Sequence, residues 1–397
     1  MDIPERERSM GKKRSWPRVL EELLDPLFGS SVHATTAAPH LRRRTSVGRV
    51  LFYFVLASTP VLLVGLWNFG AQTLQAMPLN KLSNLPGWQW HLFTALGFDA
   101  TAEGVIGPFL LGLAYFAPLL IMVLAAGVFW EVLFATMRRR HIDPGWLMAC
   151  WLYALLLPPM LPLGLVVLGV SFGLVFGKHI FGGTGRYIVS PALLGVLFLQ
   201  FSYPDYFTAA ANFIPESALA ASTTWHTVIT EGLTGATVTG LSWGQVFLGV
   251  EIGAVGTDSS LLCLAGAAAL IYKGAASART VLGAFIGLTV AAILVNTLSA
   301  EQAFWQLPWY WHMALGNFAF GVAFIATDPT PAPMTAEGRY LHGILIGVLT
   351  VLIRTYNPMH PEGTLYAILL AALATPVIDH FVIRIRVARG QRRWRSG

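Results

Sequence analysis

Residues 105–141 read VIGPFLLGLAYFAPLLIMVLAAGVFWEVLFATMRRRH, and this stretch decides the class of fold. From 105 to 136 it is almost entirely apolar, which is longer than the roughly 20 residues that a helix needs to cross a bilayer. Three arginines and a histidine follow, and such a basic cluster is expected on the cytoplasmic side of a membrane. The stretch therefore predicts a transmembrane helix that is tilted or extends past the bilayer and that ends at the cytoplasmic side.

Apolar runs recur along the chain from Val50 to Ile383. Of the 397 residues, 55% are hydrophobic and 12% are charged, which is outside the range of a water-soluble domain. A segment rich in arginine and lysine precedes the first run, so no cleaved signal peptide is predicted. The sequence predicts an all-α integral membrane protein with about ten transmembrane helices. The spans are placed at 50–69, 105–136, 145–157, 162–177, 188–202, 259–273, 281–298, 311–327, 340–354 and 363–383.

The distribution of positive charge orients these spans. With ten spans and both termini in the cytoplasm, all but Lys81 and Arg354 of the 26 Lys and Arg residues fall on the cytoplasmic side, as the positive-inside rule requires. Five spans precede the long polar loop and five follow it, which makes two inverted five-helix repeats a hypothesis. The predicted parts are a cytoplasmic extension (1–49), a first membrane half (50–202), a periplasmic loop (203–243), a second membrane half (244–383) and a basic cytoplasmic tail (384–397).

The third and fourth spans are short and are separated by Leu157-Pro158-Pro159-Met160-Leu161-Pro162. Proline cannot donate a backbone hydrogen bond. Non-helical backbone at membrane depth must be buried in protein or line a cavity. We therefore expect this connection to be packed inside the protein.

Acidic residues inside spans are costly and are candidates for function. Glu131 lies near the cytoplasmic end of the second span and Asp379 near that of the last. The alternative for Glu131 is an ion pair with Arg138, and for Asp379 an ion pair with Arg384 or His380. Outside these spans, Asp328 is interpreted as a turn residue and Asp258 as a helix N-cap.

The loop 203–243 contains Glu231-Gly232-Leu233-Thr234-Gly235-Ala236-Thr237. The hydroxyl of Thr237 is a possible nucleophile, and its small neighbours Gly235 and Ala236 leave the backbone accessible to a modifying enzyme. Taken alone, Thr234 to Thr237 is also common material for a turn.

The order of several motifs between His40 and Arg384 resembles the family formed by the B subunit of sodium-translocating NADH:quinone oxidoreductases and the D subunit of Rnf complexes. The residues that carry the resemblance are Phe129 to Ala135 (FWEVLFA), Phe181 to Gly185 (FGGTG), Thr234 to Thr237 (TGAT), Ala326 to Pro329 (ATDP), Val351 to Arg354 with Asn357-Pro358 and Pro361 to Gly363, and Asp379-His380.

This resemblance implies a flavoprotein. In the family a flavin transferase joins the phosphate of FMN to the last Thr of an Asp-x-x-Ser/Thr-Gly-Ala-Thr motif, which corresponds to Thr237 here, with Thr234, Gly235 and Ala236 before it. This chain has Glu231 in place of the usual Asp. A noncovalent riboflavin is also expected in the membrane core. Near its expected place, however, Tyr187 and Ser190 stand where the family pattern has asparagines.

The resemblance also implies a quinone and a cation, because in such a membrane subunit electrons are expected to pass from FMN through riboflavin to ubiquinone, coupled to Na+ translocation. A ubiquinone site is expected beside Gly127, Val128, Phe129 and Trp130, where Val128 replaces the second of two family glycines. A bulkier Val128 predicts a narrower site. Glu131 and Asp379 are expected in the ion pathway, and no metal site or catalytic residue is predicted.

The expected partners follow from what the chain lacks. Gly182 to Gly185 does not have the strand-turn-helix context of a dinucleotide loop, and Cys150 and Cys263 are too few to hold an iron-sulfur cluster. We therefore expect a subunit with the NADH site, FAD and a [2Fe-2S] cluster, a second subunit with covalent FMN, small membrane subunits and membrane lipid, but no nucleic acid. The predicted location is a bacterial inner membrane.

Two rival functions stay open on the sequence. One is an Rnf-type D subunit, which passes electrons toward ferredoxin or NAD. The other is a channel or transporter without redox chemistry, which the prolines at 158–162 and the acids in the spans would also suit. A flavin that survives denaturation would separate the redox functions from the transporter.

Overall fold

The fold was obtained as a computed structural model, which describes residues 47–79, 85, 87–99, 104–207, 242–249, 254–298, 307–357 and 363–396. Within these ranges every regular element is helical, as predicted. The helices are α1 (Val47–Leu79), α2 (Trp88–Ala95), α3 (Ile106–Met137), α4 (Gly145–Leu155), α5 (Leu163–Leu174, continued by a π turn at Val175–His179), α6 (Pro191–Ser202), α7 (Trp243–Leu248), α8 (Ser260–Tyr272), α9 (Ala278–Leu298), α10 (Trp309–Ala314), α11 (Phe318–Phe320, continued by a π turn at Gly321–Ile325), α12 (Ala336–Tyr356) and α13 (Gly363–Ser396).

Five helices, α1, α3, α9, α12 and α13, are long and apolar enough to cross a membrane, judged by length and composition. Four shorter apolar helices of 10–17 residues accompany them, namely α4, α5 with its π turn, α6 and α8. The predicted span 311–327 is divided between α10, α11 and a π turn. The membrane-protein class is therefore confirmed, whereas the count of ten spans stays a prediction because half of the predicted spans are short or broken.

The proline-rich connection between α4 and α5 is packed inside the protein, as expected. Leu157 is fully buried and Leu161 nearly so. The carbonyl of Leu155, the last residue of α4, accepts a hydrogen bond from the backbone N–H of Gly256 at 2.9 Å. A segment from the second half of the chain thus supplies a donor to the end of α4, where this buried connection begins.

In the second half, α9 and α12 pack with their backbones unusually close together. Each helix presents two glycines four residues apart, Gly283 and Gly287 on α9 and Gly343 and Gly347 on α12. A Cβ added at Gly287 would lie 2.3 Å from the carbonyl oxygen of Ile344, and a Cβ at Gly347 would be equally close to α9. Because only glycine permits this separation of the backbones, the two helices pack in the manner of small-residue membrane pairs.

The two halves of the chain meet where α1 packs against α8. Asn68 of α1 donates a hydrogen bond from Nδ2 to Oδ2 of the buried Asp258 at 3.1 Å. The N-cap prediction for Asp258 is wrong by one residue, because the Oγ of Ser259 accepts the N–H of Leu262 and caps α8. Asp258, just before α8, instead links α1 to the start of α8.

Candidate functional site

Glu131 is buried near the C-terminal end of α3, with 3% of its surface exposed. Its Oε2 lies 2.7 Å from Nζ of Lys178, which is fully buried. Its Oε1 accepts the backbone N–H of Asp143 at 3.0 Å. The predicted alternative, an ion pair with Arg138, is wrong: the Arg138 guanidinium donates to the carbonyl of His179 and lies over the ring of Phe134.

Asp143, in the short connection between α3 and α4, brings a second carboxylate to this place. Its Oδ2 lies 3.7 Å from the Lys178 ammonium and accepts the backbone N–H of Thr184, while Oδ1 accepts that of Gly145. Burial alone would raise the pKa of the Asp143 carboxyl, but Lys178 and the N–H of Thr184 outweigh burial and hold the pKa below its ordinary value. Asp143 is therefore ionised at neutral pH.

His179 completes what we call the Glu131 cluster, formed by Glu131, Asp143, Lys178 and His179. Its ring stacks on Phe134 with centroids 4.3 Å apart. Its Nε2 is buried without a hydrogen-bond partner among the described residues and lies 3.6 Å from Oε2 of Glu131. The cluster brings together two carboxylates and the Lys178 ammonium, and the Arg138 guanidinium at the His179 carbonyl adds a second cation beside them.

Three members of this cluster, Asp143, Lys178 and His179, were not revealed by the sequence as functional candidates, and Lys178 was counted as a marker of the cytoplasmic side. The π turn Val175–His179 ends α5 and places Lys178 opposite Glu131. Such π turns are frequent at functional sites. The signal that could have found Lys178 is a charged residue directly after an apolar run, in a chain with an intramembrane glutamate that needs a partner.

The four predicted quinone-site residues lie on different faces of α3. A Cβ at Gly127 would meet Sγ of Cys150 at 2.3 Å, so this glycine serves the close packing of α3 on α4. Trp130 donates from Nε1 to Oγ of Ser171 on α5 at 2.8 Å. Val128 packs against the core, whereas 59% of Phe129 is exposed. Of the four, Phe129 is the one turned outward.

Asp379 binds the connection that precedes α12. Its carboxylate accepts the backbone N–H groups of Met334 and Thr335 and the hydroxyl of Thr335, and Thr335 in turn caps α12. These bonds give Asp379 a structural role that neither predicted alternative, a pair with Arg384 or with His380, anticipated. Its predicted place in the ion pathway stays a prediction.

A second buried acid, Asp328, lies in the connection between α11 and α12. Its Oδ1 accepts the N–H of Thr330 at 3.0 Å, which fits the predicted turn role. The hydroxyl of Tyr187 donates to both carboxylate oxygens, at 3.0 and 3.2 Å. Burial raises the pKa of the Asp328 carboxyl to about 6, and the hydrogen bonds from Thr330 and Tyr187 oppose this rise.

Arg354, at the end of α12, is fully buried and donates to the carbonyls of His312 and Leu315 and to the hydroxyl of Thr364. In the predicted topology, Arg354 was one of the two exceptions to the positive-inside rule. A guanidinium that is buried and hydrogen-bonded inside the protein does not indicate which side of the membrane it faces. Arg354 therefore need not follow the positive-inside rule. The same reasoning removes Lys178 from the cytoplasmic count.

The predicted flavin residues Glu231, Thr234, Gly235, Ala236 and Thr237 lie outside the described residues. The described chain resumes at α7, which packs on α10 through a buried group formed by Val246, Leu307, Trp311, Ala314 and Leu315. Trp243 stacks on Phe247 and donates from Nε1 to the carbonyl of Tyr310 at 2.9 Å. The segment after the loop is therefore fixed to the second half.

Comparison with known proteins gives a consistent result along nearly the whole chain. The profile of the NQR2, RnfD, RnfE family matches residues 34–388. A protein of Chromohalobacter salexigens, named as the B subunit of Na(+)-translocating NADH-quinone reductase, is 39% identical over 375 residues, which cover 94% of this chain and 91% of that protein. Proteins of the same name from Azotobacter vinelandii and from Neisseria meningitidis are each 38% identical, cover 96% of this chain, and are themselves covered to 94% and 95%.

Proposed function

The chain belongs to the NQR2, RnfD, RnfE family, and from this premise we propose that it is the membrane subunit of an NADH:quinone oxidoreductase that couples electron transfer to Na+ translocation. The observation that carries the proposal is the near full-length similarity to proteins named as the B subunit of Na(+)-translocating NADH-quinone reductase. Those names also favour the quinone reductase over the Rnf-type rival and over a transporter without redox chemistry. The NADH site, FAD and [2Fe-2S] cluster, the second covalent FMN and the small membrane subunits are assigned to partners in a bacterial inner membrane.

We further propose that Thr237 carries FMN through a phosphoester formed by a flavin transferase. The acceptor chemistry fits, because a threonine hydroxyl flanked by Gly235 and Ala236 is an accessible acceptor for the phosphoryl group. When bound, FMN supplies a redox centre that exchanges electrons with partner cofactors. No electron-transfer step is assigned to the noncovalent riboflavin that the resemblance implies, because Tyr187 and Asp328 bond to each other near its expected place.

The proposed topology has ten spans, two inverted five-helix halves and both termini in the cytoplasm. Two buried cations support the repeat. Lys178 ends the fourth predicted span and is held beside the start of α4, and Arg354 ends the ninth and is held by α10. Under the repeat these two positions correspond, since the third and eighth spans are equivalent.

For the cation pathway we propose Glu131 and Asp379. The surroundings of Glu131 support the first, because its buried carboxylate lies beside Lys178 and 3.6 Å from Nε2 of His179, which has no hydrogen-bond partner among the described residues. Replacing Glu131 with Ala is expected to weaken the dependence of NADH:quinone turnover on Na+, measured on the purified complex with Na+ or K+. Full retention of Na+ dependence would remove Glu131 from the pathway.

Asp379 needs a control that separates transport from helix capping. An Asn at 379 can still accept the Thr335 donors on its one oxygen but loses the charge and the acceptor for the Met334 N–H, whereas Ala retains no acceptor. If Asp379 acts in the pathway, Asp379→Asn and Asp379→Ala lose Na+ dependence to the same extent, while the melting temperature of Asp379→Asn falls less than that of Asp379→Ala. Retained Na+ dependence in Asp379→Asn would leave the carboxylate with its structural role only.

For the quinone site we propose the part of α3 formed by Gly127, Val128, Phe129 and Trp130, where Val128 takes the place of the second family glycine. Val128→Gly is expected to change the concentration of a quinone-site inhibitor that halves the turnover, because the side chain that replaces the family glycine is removed. The control is Val132→Gly, one helical turn away, which tests whether a glycine in this helix acts by loosening it. An inhibitor response unchanged by Val128→Gly would count against the site.

A further inference from the structure

Two loops meet near the place where the resemblance puts a noncovalent riboflavin. One loop, 180–190, connects the π turn of α5 to α6, and the other, 326–335, connects the π turn of α11 to α12. Asp328 in the second loop belongs to the Ala-Thr-Asp-Pro pattern shared with the family. Tyr187, in the first loop, stands where the family pattern has an asparagine. The contact between the loops is therefore made by one shared residue and one that departs from the family pattern.

The polar groups at this contact are satisfied by one another. Tyr187 is 7% exposed and Asp328 is 1% exposed. Three donor contacts reach the carboxylate, two from the Tyr187 hydroxyl and one from the Thr330 N–H. Buried polar groups that are hydrogen-bonded in this way are costly to separate, because any new partner must replace the bonds that are lost.

The chemistry of the side chains differs from what an asparagine pair would offer. A carboxamide carries a donor and an acceptor on one small group, which suits the alternating donors and acceptors along the edge of a flavin ring. A phenol has one donor, which is used here, and its ring is larger than a carboxamide. Ser190 is buried as well, with 4% of its surface exposed, and its short side chain cannot reproduce an amide.

We infer that this chain holds no noncovalent riboflavin between these loops, and that Tyr187 and Asp328 instead form a tie that fastens the loop of the first half to that of the second. The inference rests on the family membership and on the described contacts, and it is independent of FMN on Thr237. By this inference the chain carries FMN alone, whereas the resemblance implies both FMN and riboflavin.

The flavin content is measured on the purified complex, matured with a flavin transferase. Acid precipitation releases noncovalent flavins, and chromatography separates riboflavin from FAD, which belongs to the partner. The wild type is expected to release no more riboflavin than a mock preparation. The double variant Tyr187→Asn with Ser190→Asn is expected to gain riboflavin toward one per chain. Stoichiometric riboflavin in the wild type, or none in the double variant, would overturn the inference.

The tie between Tyr187 and Asp328 is tested separately, through the melting temperature of the protein. Tyr187→Phe keeps the ring and removes the hydroxyl, so it should release no riboflavin yet melt at a lower temperature than the wild type. Tyr340→Phe, at an exposed position on α12, is the matched control and should melt as the wild type does. Equal melting of Tyr187→Phe and wild type would overturn the tie. Flavin fluorescence of the denatured protein, recorded on the same preparations, reports separately on FMN.

Discussion

Replacing Thr237 with Ala is expected to abolish the flavin fluorescence of this protein after denaturing electrophoresis. Alanine has no hydroxyl, so the flavin transferase has no acceptor atom for the phosphoester. Noncovalent flavins are lost during denaturation, and the fluorescence that remains in the wild-type band therefore reports only the covalent flavin. We expect NADH:quinone turnover of the complex to fall with it, since FMN is the one redox centre proposed for this chain.

The matched control is Thr234→Ala, which changes a threonine of the same motif and leaves the Thr237 hydroxyl in place. It should retain fluorescence, because the acceptor atom is still present. Thr237→Ser, which restores a hydroxyl, should recover part of the signal. A wild-type band without fluorescence, from cells in which the same transferase modifies another substrate, would contradict the flavin proposal and favour the transporter.

Replacing Lys178 with Met is expected to destabilise the protein by about 3–5 kcal/mol, the usual cost of removing one partner of a buried ion pair. Methionine fills a similar volume but leaves the Glu131 carboxylate, 2.7 Å away in the wild type, without its ammonium. The thermal unfolding temperature in detergent, followed by tryptophan fluorescence, should fall accordingly. Sodium chloride should raise that temperature more than choline chloride, because a small cation can compensate the uncovered charge of Glu131.

Two further variants test whether the loss of stability comes from the ion pair between Lys178 and Glu131. Arg186→Met removes an exposed cation from the following loop and should have little effect on unfolding. The double variant Lys178→Met with Glu131→Gln should recover much of the lost stability, since replacing both partners of a buried pair is often close to neutral. A Lys178→Met variant as stable as Arg186→Met would show that the ion pair does not hold the two helices together.

The class of fold could be predicted from the sequence because long apolar runs and a one-sided distribution of arginine report directly on a membrane. Residues 105–136 became α3 with only small changes at its ends. The short spans were harder, because α4 and α10 depend on partners elsewhere in the chain rather than on their own length. The glycine pairs of α9 and α12 are visible in the sequence, but which helix each pair faces is not.

The candidate site was predicted less completely. Glu131 was found because an acid in an apolar run is conspicuous, whereas its partner could not be inferred from helical spacing. Arg138 is close to Glu131 along the chain, whereas Lys178 comes from a distant segment. The π turn at the end of α5 places Lys178 beside Glu131. Asp379 was found for the same reason as Glu131, and its bonds to Met334 and Thr335 follow from tertiary contacts that sequence spacing does not encode.

The bond between the Leu155 carbonyl and the Gly256 N–H bears on how the protein is made. During synthesis the first half leaves the ribosome before residue 256 exists, so the end of α4 then lacks the donor that it has in the finished protein. An unsatisfied backbone group in hydrocarbon costs several kcal/mol. The carbonyl at the end of α4 therefore gains this donor only after the second half of the chain has been made.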